Sequence, residues 1–121
     1  MVRRALTEVI AFAKQRAMFG QRLADFLLTQ TTRDDIAALV VAAALLTYRT
    51  AWLREDGERV SLATSATQRQ AVTVAAAMVK MTATGNAQRE VYMALQLHGG
   101  LGVKAGTKVE SLYRDVRALH I

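Results

Sequence analysis

The chain has 121 residues, enough for one domain with a real core and too few for a second. It contains no proline and no cysteine, which favours uninterrupted helix and excludes disulfides and thiolate metal sites. A net charge of +6 suits anionic partners, but the arginines are dispersed rather than stacked on one helical face, which argues against nucleic acid.

Alanine, leucine, arginine and glutamine fill the stretches between glycines, and the chain reads as all-α. Leu6, Val9, Ile10, Ala13 and Ala17 form a one-face apolar stripe, predicting a helix over about 1–19 that Gly20 ends. A second helix is expected over about 23–54, with Phe26, Leu27, Ile36, Leu39, Val40, Ala43, Leu46 and Tyr48 as its apolar positions. Its 25–35 stretch is polar, which allows a bend. Arg54-Glu55-Asp56-Gly57-Glu58 reads as a charged connection.

Ser61 or Thr64 offers an N-cap for a third helix, over 61–98, about 50 Å long at 1.5 Å per residue. Its small-residue middle, from Ala75-Ala76-Ala77 to Gly85, allows a neighbour to approach closely. A last helix is expected over 107–119, with Val109, Leu112, Tyr113 and Val116 facing inward. Helices of this length joined by short turns form an antiparallel up-and-down four-helix bundle, a single domain spanning 1–121. No apolar run is expected to reach the length of a bilayer span, and the N-terminus lacks the apolar core of a secretory signal. A cytoplasmic protein is the resulting expectation.

Few residues could carry chemistry. His98 and His120 have no Glu or His at metal-ligand spacing, so no metal is expected. No Ser-His-Asp or Cys-His set, phosphate-cradling loop or Glu-x-x-His pair is present, and no catalytic residue is assigned. Two segments stand out. In Arg16-Ala17-Met18-Phe19-Gly20, a guanidinium suited to phosphate sits at a helix end beside an aromatic and a turn glycine. In Gln96-Leu97-His98-Gly99-Gly100-Leu101-Gly102, a donor–acceptor amide precedes a bare loop whose N–H groups a phosphate could meet.

Taken in order with Tyr113-Arg114-Asp115, these elements resemble the C-terminal helical domain of the acyl-CoA dehydrogenase family, over essentially the whole chain. The resemblance implies an FAD enzyme that oxidises the Cα–Cβ bond of acyl-CoA thioesters and assembles as a dimer of dimers. It implies that Arg16 and Phe19 contact the FAD pyrophosphate and ring region across a subunit interface. Gln96, Gly99 and Gly100 would hold the adenosine end, while Glu110, Arg114 and Asp115 look like a structural ion-pair set.

Two departures qualify it. A Gln that helps hold FAD in the family is matched by Leu27 here, with Gln30 nearby. The family's general base, a Glu in an Ile-x-Glu-Gly-Thr stretch, would stand two residues beyond Ile121. The 121-residue chain is therefore expected to lack dehydrogenase activity and to bind FAD weakly or not at all. Acyl-CoA would be handled only with the remaining domains, in a homo-oligomer (dimer or tetramer) or with a partner chain that supplies them. The alternative is a non-catalytic helical assembly module that completes a flavin site on a partner.

Overall fold

The computed structural model describes residues 1–60 and 66–120, so Ser61 and Thr64, the expected caps, lie outside the described residues. The order is α1 (Val2–Gln15), a hairpin of β1 (Ala17–Met18) and β2 (Gln21–Arg22), a 3-10 turn (Leu23–Asp25), α2 (Leu27–Val60), α3 (Ala66–His98), a second 3-10 turn (Gly99–Leu101) and α4 (Lys108–His120). The all-α bundle expected from the sequence forms, with one small hairpin inserted after α1.

Ala5, Val9 and Ala13 recur one turn apart on α1, and all three are buried. The helix ends short of Gly20. Arg16 turns extended (φ −77, ψ 118) while its N–H still bonds the Phe12 carbonyl at 2.9 Å. Ala17 then pairs with Arg22 and Met18 with Gln21, antiparallel. The two residues between have positive φ, Phe19 at 52° and Gly20 at 82°. That pattern belongs to the type I′ turn, whose twist matches that of the flanking strands. A bond from Leu23 N–H to the Arg16 carbonyl, 2.7 Å, closes the base of the hairpin.

The charged connection expected at Arg54–Glu58 is instead helical, because α2 runs on to Val60. One glycine costs a helix only about 1 kcal/mol and does not stop it without a cap. Gly85 likewise lies inside α3.

Burial is uneven. The core cluster consists of Ala5 and Val9 of α1, Ala87, Val91 and Ala94 of α3, and Val109, Leu112 and Val116 of α4. α1, the C-terminal half of α3 and α4 thus wrap one another, and Lys108 Nζ ties α4 to Glu8 Oε1 of α1 at 3.0 Å. The long middle of α2 and the N-terminal half of α3 pack mainly against each other, as a two-helix arm. Val41, Leu45, Tyr48 and Trp52 on α2, with Val74, Met78 and Met81 on α3, remain exposed there.

One expectation is corrected. Leu27–Asp56 is long and apolar enough to cross a bilayer, by length and composition. Arg33, Asp34 and Asp35 lie near the start of that helix and Arg49 further on, leaving the stretch from Ile36 to Tyr48 without charge. The same helix packs along α3 and touches α1, as a bundle helix does.

Glu90 is the anomaly of the cored end. It is 1% exposed, and its Oε2 has no hydrogen-bond partner among the described residues. Burial removes the water that would stabilise the carboxylate, which pushes its pKa up from 4.5 to about 7.

Candidate cofactor-binding site

The first candidate segment is built by the hairpin. Arg16 is exposed and forms no ion pair among the described residues. Phe19, at the tip of the type I′ turn, is 90% exposed. A fully solvated phenyl ring held by a two-residue turn gains nothing from the fold beneath it, so its apolar surface is available to whatever approaches.

The second segment begins on the last turn of α3. Gln96 is exposed and donates from Nε2 to Tyr92 Oη at 2.9 Å, and its carbonyl oxygen takes part in no hydrogen bond among the described residues. Gly99 and Gly100 are exposed, and a Cβ built on either meets nothing within 4 Å. Gly102 differs: it is buried, and a Cβ there would lie 2.5 Å from the Leu95 carbonyl oxygen. Gly102 is therefore the glycine the packing demands, whereas Gly99 and Gly100 leave an open backbone surface.

A ring stack joins the helix that leads into the first segment to the second segment. The Phe12 and His98 rings stack, with centroids 4.3 Å apart and planes 24° from parallel. His98 Nδ1 lies 2.7 Å from the Ala94 carbonyl, which orients the ring. Phe12 is one turn before Arg16 on α1, and His98 immediately precedes Gly99. The ends of α1 and α3 are thereby clamped side by side, so the hairpin and the glycine loop occupy the same end of the bundle. In the sequence His98 stands out only as part of the glycine segment, and Phe12 lies outside the apolar stripe of α1. The only signal was an aromatic on the half-buried edge of the α1 stripe.

The residues that complicate the resemblance are also placed. Leu27 is 78% exposed and offers no polar group. Gln30 is half-buried, and its Nε2 donates to the Ala24 carbonyl at 3.2 Å, pinning the start of α2 to the preceding 3-10 turn. Arg114 pairs with Glu110 one turn earlier, Nε to Oε1 at 2.7 Å, while Asp115 joins no ion pair among the described residues.

An exposed guanidinium, an exposed phenyl ring, a free amide oxygen and a bare glycine loop on one end of a bundle suit a ligand with an anionic centre and a flat polar end.

Comparison with known proteins identifies the family of the chain. Residues 1–121 match the family described as acyl-CoA dehydrogenase, C-terminal domain. The chain is similar to the caffeyl-CoA reductase-Etf complex subunit CarC of Acetobacterium woodii, 35% identical over 97% of this chain and 28% of that protein. Its fold superposes on butyryl-CoA dehydrogenase from Megasphaera elsdenii with a TM-score of 0.84 and 28% identity, covering 99% of this chain and 28% of the other. It also superposes on a chain in the structure of the electron transferring flavoprotein of Acidaminococcus fermentans, TM-score 0.83 and 27% identity, again covering 99% and 28%. The chain spans a little over a quarter of the length of these relatives. It belongs to the acyl-CoA dehydrogenase family of flavoproteins and corresponds to that family's C-terminal helical domain.

Proposed function

We propose that this domain holds the nucleotide end of FAD and supplies subunit contacts in an enzyme that desaturates acyl-CoA thioesters. Arg16 would meet the pyrophosphate and Phe19 the neighbouring ring region. Gln96 with Gly99 and Gly100 would take the adenosine end. The observation that carries this reading is the Phe12–His98 stack, which brings the two candidate segments to one end of the fold. Bound flavin would supply the two-electron acceptor, and the residues here would bind and orient it. The catalytic base and the acyl pocket belong to segments outside this chain, and a cytoplasmic location goes with the reading.

A direct test is a titration of the 121-residue chain with ADP or FAD, followed through backbone amide resonances. The expected result is weak binding, with shifts confined to Arg16–Gly20 and Gln96–Gly100 and weakened by Arg16→Gln. Shifts scattered elsewhere, or none at millimolar ligand, would overturn the assignment. The purified chain is further expected to show no acyl-CoA-dependent reduction of an electron-transfer dye.

The exposed apolar faces of the two-helix arm support self-association into a dimer or tetramer, since such a patch is costly to leave in water. The second reading is an assembly module completing a flavin site on another chain, and the same exposed arm supports it. Co-purification with a separate flavoprotein would favour that module, whereas a homo-oligomer would favour the first reading.

A further inference from the structure

His98 is held on two sides and free on a third. Its ring lies against Phe12 of α1, centroids 4.3 Å apart, and its Nδ1 lies 2.7 Å from the Ala94 carbonyl, one turn earlier on α3. A carbonyl can only accept, so the ring proton sits on Nδ1. The stack fixes the plane of the ring, and the bond fixes its rotation within that plane. In the neutral ring Nε2 then carries a lone pair.

That nitrogen is open. It has no hydrogen-bond partner among the described residues, and it is not enclosed as the unpartnered Gln88 Oε1 and Glu90 Oε2 are. The two nitrogens of an imidazole point in nearly opposite directions. With Nδ1 aimed back along α3, Nε2 faces past the end of the helix, where Gly99 opens the loop at φ 56°. Gln96 and His98 are two residues apart and leave α3 on different sides, Gln96 toward Tyr92 and His98 toward α1. His98 thus lies between the amide of Gln96 and the helix that ends at Arg16.

We propose that His98 Nε2 accepts a hydrogen bond from a sugar hydroxyl of the bound nucleotide. The proposal rests on the flavin reading, in which Arg16 takes the pyrophosphate and Gln96 the adenosine end. In a nucleoside diphosphate the sugar joins those two parts, and its hydroxyls can donate. Arg16 and the bare glycine N–H groups suit phosphate oxygens and cannot take a hydroxyl proton. His98 supplies the missing acceptor, with its tautomer and orientation set before the ligand arrives.

The test is a titration of the 121-residue chain with ADP, 2′-deoxy-ADP, 3′-deoxy-ADP and pyrophosphate, followed through the nitrogen-15 resonances of the His98 ring and the backbone amides. The free chain should show the ring proton on Nδ1. ADP should move the Nε2 resonance, and pyrophosphate should leave it in place. One of the deoxy analogues should bind about fivefold more weakly than ADP, the loss of one neutral hydrogen bond. His98→Phe keeps a ring against Phe12 and removes both nitrogens. It should weaken ADP by the same factor, abolish the discrimination between ADP and that analogue, and leave pyrophosphate binding unchanged. Circular dichroism verifies that the variant keeps its helix, and the Nε2 resonance needs no variant at all. If Arg16→Gln weakens ADP but Nε2 stays unmoved, or His98→Phe binds ADP as tightly as the parent, the His98 contact is overturned and the flavin reading stands. Absence of ADP binding, or binding indifferent to Arg16→Gln, overturns both.

Discussion

The two ends of this bundle are made of similar residues and have opposite fates. At the cored end, α1, the second half of α3 and α4 enclose Val9, Val91, Val109 and Val116, all essentially removed from water. In the arm, α2 and the first half of α3 carry valines, leucines, methionines and a tryptophan that stay exposed, Trp52 at 61%. The difference is one of neighbours. A helix pair buries one seam, and a third element is needed before an apolar face closes over. Among the described residues the arm lacks that third element, so its stability is tied to what packs on it.

This contrast can be broken by mutation. Val91→Asp places a charge where no water reaches and should cost 4 kcal/mol or more, roughly, abolishing cooperative melting by circular dichroism. Retention of a sharp thermal transition would mean that the cored end does not hold the fold.

A pH series tests the same end. The Glu90 carboxyl keeps its proton in the folded state up to about 7, whereas the unfolded chain loses it near 4.5. The unfolded state then binds fewer protons, so stability falls as pH rises from 4.5 toward 7 and levels off above. The loss is at most about 3 kcal/mol. Chemical denaturation across that range should show the slope in the parent chain and a flatter one in Glu90→Leu.

Smaller effects sharpen the comparison. Glu110→Gln removes an i, i+4 pair with an exposed arginine and should cost about 0.3–0.5 kcal/mol at low salt, less at high salt. In the arm, Leu45→Lys should change the stability of the single chain by no more than about 0.5 kcal/mol. Its effect should appear in light scattering instead, as a shift toward the monomer mass. An arm variant that unfolds the chain would erase the distinction between the two ends.

The bundle was legible because the signals behind it are local. The stripe of α1, the stop at Gly99 and the inward positions Val109, Leu112 and Val116 are set by helical periodicity and by loss of a side chain. The candidate segments were visible as motifs, yet their meeting at one end depends on Phe12 and His98, residues nearly ninety positions apart. The hairpin escaped notice because Phe-Gly is an unusual pair for a type I′ turn, where Asn or Asp usually takes the first place. Gly57 misled for the opposite reason: beside four charged residues it looked like a connection, but the helix tolerates it. The unequal burial of the two ends was beyond periodicity, which marks an apolar face and says nothing of what covers it.

The short hairpin has a kinetic consequence. A phenyl ring on a long loop would have to give up many backbone conformations before it could be gripped, and that entropy would be subtracted from its affinity. Phe19 sits on a two-residue turn closed at its base by the Leu23–Arg16 bond, so most of that ordering is complete before any encounter. In the proposed flavin contact, its contribution should therefore be felt mainly in how slowly a complex dissociates, with little of the delay that loop folding imposes on its formation.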